Sequence, residues 1–74
     1  MPIPLDALEA LLAYLEDCTC EFGCDHTFRF ARQWLVREGC PVYPTEFALI
    51  ALGAGCDCEV VLNVIPANVY ARPI

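Results

Sequence analysis

Two short clusters in this chain carry the residue types that grip a soft metal ion: Cys56-Asp57-Cys58 and Cys24-Asp25-His26. Each sets two donors one residue apart. In extended backbone, residues i and i+2 project to the same face, so either cluster can present both donors at once. In a helix the same spacing would turn them apart. Zinc takes four ligands at tetrahedral positions, most often thiolates and imidazole nitrogens, and usual zinc knuckles leave two to four residues between them. The gaps here are tighter, and Gly23 and Gly55 precede the two clusters, where glycine permits the turn a tight chelate needs. Cys18 and Cys20 form a third pair with the same gap. A site of Cys18, Cys20, Cys56 and Cys58 is therefore equally sound chemically, and these two thiols also read as ligands of a second ion or as labile free thiols. His26 has an ordinary alternative as a helix N-terminal residue bonded to backbone. Cys40, standing alone, reads as a small buried hydrophobe.

The acids between and beside these donors have their own expectations. Asp25 and Asp57 should point away from a metal, as helix caps or as acceptors behind the ligands. Glu59 is the acid placed like a general base. A closed four-ligand site has no position for water, so an enzyme is not expected.

With 74 residues the chain reads as one domain, 1–74. A core of this size leaves only about 3–5 kcal/mol of net stability, so a staple or a partner subunit is expected. The start, Met1-Pro2-Ile3-Pro4-Leu5-Asp6, has no basic region and is interrupted by acids, so it does not read as a signal peptide. No apolar stretch approaches the roughly 20 residues of a membrane span. The expected home is the reducing cytoplasm, where six clustered cysteines mean metal or redox chemistry more than disulfides. Ten acids against four arginines give a net charge of −6, which argues against nucleic acid as a partner. The 58% apolar share exceeds what so small a core readily hides. Self-association, as a homodimer, or another protein partner is the expectation.

The elements that must position the clusters follow from periodicity. Leu5, Leu8, Leu12 and Leu15 recur at steps of three and four and predict a helix from about Pro4 to Asp17. Cys18 to Cys24 reads as a loop or short extended piece. Asp25 or Thr27 then caps a second helix to about Glu38, with Gly39 just past its end. Phe28, Ala31, Trp34 and Leu35 face inward on it. Arg29, Arg32, Gln33 and Arg37 form its wet face, there to pair with Glu16, Asp17 and Glu38 or to dock an acidic partner. Pro44-Thr45-Glu46 opens a third helix through Leu52, and its apolar run 47–52 belongs to the core or to a dimer interface. Residues 59–65, rich in Val and Ile, read as a strand by propensity, with Thr19–Phe22 as the nearest ladder partner. The alternative is a short fourth helix capped by Asp57. Residues 1–3 and 67–74 read as extended tails.

The block Cys24-Asp25-His26-Thr27, an aromatic-containing helix ending Glu-Gly, and the block Gly55-Cys56-Asp57-Cys58-Glu59-Val60 with Asn63-Val64 together resemble an uncharacterised bacterial family of small proteins, a domain of unknown function. The resemblance covers residues 24 to 64. It implies Cys24, His26, Cys56 and Cys58 as the ligand set and leaves Cys18 and Cys20 as extras. The third helix departs from the family pattern, in which it is acidic, and the family implies no established activity.

The expectation is thus a small, mostly helical α+β domain of about three helices with one short strand, stapled by zinc. Its core would draw on Leu5, Leu8, Leu12, Phe28, Trp34, Leu35, Phe47, Ile50 and Leu52. Its metal would be structural and its role protein–protein contact, with a metal- or redox-responsive thiol sensor as the alternative.

Overall fold

A computed structural model describes residues 1–69. These form five helices: α1 (Leu5–Phe22), α2 (Arg29–Arg37), α3 (Val42–Ala51), α4 (Asp57–Asn63) and α5 (Pro66–Val69). No strand occurs among the described residues, so the domain is all-helical and the expected α+β class is corrected.

The 18-residue helix α1 is the axle. Leu8, Leu11 and Leu15 form its fully buried stripe, and α4, α2 and α5 all pack against it. Leu12 is only half-buried and Leu5 is exposed, because the stripe runs through Leu11 instead. The helix also outlasts its expected end. Thr19 Oγ1 donates to the Leu15 carbonyl at 2.8 Å, spending its hydroxyl on the helix rather than against it. Gly23, at φ 77°, then ends the helix with its N–H on the Thr19 carbonyl. Cys18 and Cys20 are therefore helical, and the loop expected from Cys18 to Cys24 shrinks to the stretch after Phe22.

In α2, Ala31, Trp34 and Leu35 are buried as expected, joined by Phe30, while Phe28 is half-buried. Helix α3 starts at Val42, before Pro44, since a proline in the first turn gives up an N–H that has no intrahelical partner anyway. It contributes Leu49 to the core, whereas Phe47 and Ile50 face outward. Their expected core positions, and that of Leu52, are corrected.

The stretch read as a strand is α4. Val60 and Val64 are buried and Leu62 and Ile65 exposed, a four-residue repeat on one face rather than an alternation. Thr19–Phe22 lies inside α1 and offers no ladder. Cys56 is the N-cap residue, with extended backbone, and Glu59 Oε1 accepts the Gly55 N–H at 2.9 Å, which ties off the helix start. Asn63 Nδ2 donates to the Gly53 carbonyl and closes the same turn from the other side. Of the tail residues, Ile3 is buried in the core, and α5 occupies 66–69 where an extended tail was expected. Residues 70–74 of that expected tail lie outside the described residues.

Candidate metal centre

The loop between α1 and α2 and the start of α4 meet at one place, and polar bonds fix how they meet. Asp57 N–H donates to the Thr27 carbonyl at 3.0 Å. In return the Asp57 carboxylate accepts the α2 amides of Phe30 (2.8 Å) and Ala31 (3.0 Å). An acid 26 and 27 residues away in sequence thus caps a helix that its own N-terminal neighbours cap only in part. Thr27 Oγ1 takes the Arg29 N–H at 3.2 Å, and the Phe28 carbonyl takes that of Arg32. Every donor in the opening of α2 has an acceptor. Burial pushes the Asp57 carboxyl above its usual range, against the pull of those two amides.

Asp25 holds the loop rather than the helix. Its Oδ1 accepts both the N–H and the hydroxyl of Thr27, and the hydroxyl bond above all keeps its carboxyl below the ordinary value. Asp25 and Asp57 thus both act as local acceptors, one in the loop and one as the distant cap. Glu59 is engaged by Gly55, and a Cβ on Gly55 would sit 3.0 Å from Glu59 Oε1, so a larger residue there would push the carboxylate aside by a few tenths of an ångström.

The donors converge on this seam. One donor atom each of Cys24, His26 and Cys56 lies within 4.8 Å of the others. Cys58 Sγ is 3.3 Å from Cys56 Sγ. The i, i+2 argument from extended backbone does not apply to Cys58, which is inside the first turn of α4. The pair converges because Cys56 is the extended N-cap residue just before it. His26 adopts φ 65°, a left-handed conformation that is uncommon for a non-glycine residue, and its N–H points to Cys24 Sγ at 3.4 Å. Cys56 is buried, Cys24 and Cys58 are half-buried, and His26 is exposed, so the cluster is wet on the histidine side.

The thiols differ electrostatically. For Cys24, burial raises the pKa, but hydrogen bonds from the Cys58 and His26 backbones and from the Cys58 and Cys56 thiols outweigh it and bring it below the usual value. Cys56 is pushed up to about 12, first by burial and then by the neighbouring thiols. Cys56 is thus a neutral thiol as it stands, and its thiolate would need a positive charge beside it, which a divalent ion supplies. Two thiols and one imidazole within reach of one another are donor types that zinc takes, and the Cys58 thiol lies beside Cys56 but outside that three-residue cluster. Tetrahedral zinc, with Zn–S near 2.3 Å, holds its ligand atoms roughly 3.5–3.8 Å apart, the same order as the spacings found here.

Cys18 and Cys20 sit on α1, with side chains turned about 200° from each other by helix geometry. Cys18 is half-buried beside Tyr14, whose hydroxyl it raises in pKa through a side-chain hydrogen bond, and Cys20 is exposed. Neither joins the Cys24–His26–Cys56 cluster. Cys40 is half-buried against the core. Of the four residues expected as ligands, Cys24, His26 and Cys56 come together, while the role of Asp57 as a cap for α2 was not anticipated.

Residues 11–63 match a family described as Protein of unknown function (DUF2695). The chain belongs to that family. It is 36% identical over 70 residues to uncharacterized protein Rv2271 of Mycobacterium tuberculosis strain H37Rv, covering 95% of this chain and 71% of that protein. The same figures hold for uncharacterized protein Mb2294 of Mycobacterium bovis. No solved structure matches the chain. Both sequence blocks behind the resemblance lie within the matched span, except that its last residue, Val64, falls just past it. No helix among the described residues is long and apolar enough to cross a membrane.

Proposed function

We propose that this domain binds one zinc ion through Cys24, His26, Cys56 and Cys58, that the ion is structural, and that the domain serves protein–protein contact. The observation that carries the reading is the meeting of Cys24, His26 and Cys56 donor atoms within 4.8 Å of one another, across two segments about 30 residues apart in sequence. The ion would tie the start of α2 to the start of α4, and its binding free energy would count as folding free energy. No catalytic step belongs to this reading. Four protein donors fill a tetrahedral ion, and Glu59 spends its carboxylate on the Gly55 amide. Free thiols of this kind suit a reducing compartment, so the cytoplasm is the proposed location.

Elemental analysis of protein purified without a metal-affinity tag, beside a Cys58→Ser sample, tests it. About one zinc per chain, lost together with helical circular dichroism in the variant, is the expected result. A folded wild type without metal would overturn it.

The Cys56–Cys58 sulfur distance of 3.3 Å favours one second reading, a redox sensor. Peroxide would take two electrons from the two zinc-bound thiolates, forming an S–S bond and, with two protons from solvent, two waters, and the ion would leave. A structural centre keeps its zinc through peroxide treatment, and a sensor releases it reversibly on reduction.

A further inference from the structure

The outer faces of α2 and α3 form an open groove in two adjoining parts. One part, about 690 Å³, runs along α2 from Asp25 and Thr27, in the loop that carries the metal donors, past Phe28, Arg29, Arg32 and Arg37. The adjoining part, about 250 Å³, shares Phe28 and Arg32 and continues over Tyr43, Glu46, Phe47 and Ile50. Phe47 is 72% exposed and Tyr43 67%, a large apolar area for a 74-residue chain to leave in water.

Charge is distributed along this groove against the trend of the molecule. Three of the four basic residues line it beside two acids, Asp25 and Glu46, so the groove is net positive in a chain of net charge −6. Arg32 is anchored, its Nε and Nη2 on Glu46 Oε1 at 3.2 and 2.8 Å, and it lies over the Tyr43 ring. Arg29 and Arg37 meet only exposed acids, Asp25 at 3.9 Å and Glu38 at 3.4 Å, contacts worth little in water.

We propose that this groove docks an acidic amphipathic segment of another protein. Apolar anchors of the segment sit on Tyr43, Phe47 and Ile50, and its carboxylates meet Arg29 and Arg37, with Arg32 between. The inference rests on the interaction role proposed above and deepens it. Charge complementarity selects this occupant. An isologous pair of copies would bring the arginines of two α2 faces to one seam, like charge against like. A nucleic acid carries a dense row of phosphates that ten acids would repel, whereas a short segment brings a few carboxylates and apolar side chains to offset the rest.

The test is a random-peptide display selection against the full-length, zinc-loaded chain, followed by calorimetric titration of the enriched peptides and their Glu→Gln, Asp→Asn counterparts. Enriched sequences should combine acids with aliphatic or aromatic anchors. Arg29→Glu with Arg37→Glu should weaken them about 100-fold and Phe47→Ser about tenfold, with circular dichroism and zinc content unchanged. Several results would overturn the proposal: no enrichment, enrichment without acids, binding indifferent to the arginine reversals, retention of a DNA oligonucleotide instead, or a dimer that Phe47→Ser dissolves and the peptides do not. A chain without zinc that still binds the peptides would remove the metal reading and leave the groove. A zinc-loaded chain that selects nothing would do the reverse.

Discussion

The seam between α2 and α4 and the face shared by α2 and α3 treat their polar groups in opposite ways. At the seam, Asp57 is buried and its carboxylate is spent on two backbone amides, while Thr27, Asp25, Gly55 and Glu59 are bonded to one another or to nearby backbone. On the α2–α3 face, Phe47, Ile50, Tyr43 and Val36 lie in water and two of the arginines make only weak local pairs. One region completes itself and the other does not. A surface that leaves apolar area uncovered beside unspent charge is suited to something outside the chain, and a seam that satisfies itself is suited to holding shape.

The sharpest way to break this contrast is to empty the proposed metal centre. Structural zinc in small domains is worth about 10–16 kcal/mol in apparent binding, as much as or more than a domain's whole net stability. Dialysis against a strong chelator, or Cys56→Ser, should therefore unfold the chain, seen as collapse of the far-ultraviolet helical signal. Retained helix after metal removal would show that the hydrogen-bonded seam suffices alone.

Next in size is the core that both regions share. Leu11→Ala, at a fully buried position of α1, should cost about 2–5 kcal/mol in denaturant unfolding. Asp57→Ala strands the two amides of Phe30 and Ala31 and should cost about 2–4 kcal/mol, while Asp57→Asn, which keeps one acceptor oxygen, should recover part of it. Equal losses in the two variants would mean that the charge, not the cap, matters. Smallest is the groove. Phe47→Ser and Ile50→Ser should each stay within about 0.5 kcal/mol of wild type, since neither side chain is buried. A large loss there would show that the face is covered in solution and would turn the comparison around.

Much of this was legible in the residues. The helical periodicity of α1, the glycine just past the end of α2, and the pairing of metal-type donors in two short clusters all announce themselves by spacing. What failed did so for physical reasons. Val60 to Ile65 has strand-forming composition, but Glu59, three residues after Cys56, ties off a helix start, and Val60 with Val64 repeats at helical spacing. Composition outvoted that signal. The apolar run 47–52 read as core, yet a run apolar on all sides cannot say which side faces in, and Leu49 alone of its large residues is buried. The Asp57 cap was illegible because it joins positions 26 and 27 residues apart, and only the fold brings them together.

The left-handed backbone of His26 sets two demands on one position that point to different residues. Conformation alone prefers glycine, or failing that asparagine, whereas metal binding wants an imidazole. A saturation library at this site, sorted for folded protein in excess zinc, therefore separates the two demands by sequence readout. Histidine should dominate if the imidazole binds the ion, and glycine or asparagine if only the backbone conformation counts. The identity of the winner at one codon then reports which of the two the chain is being asked to do.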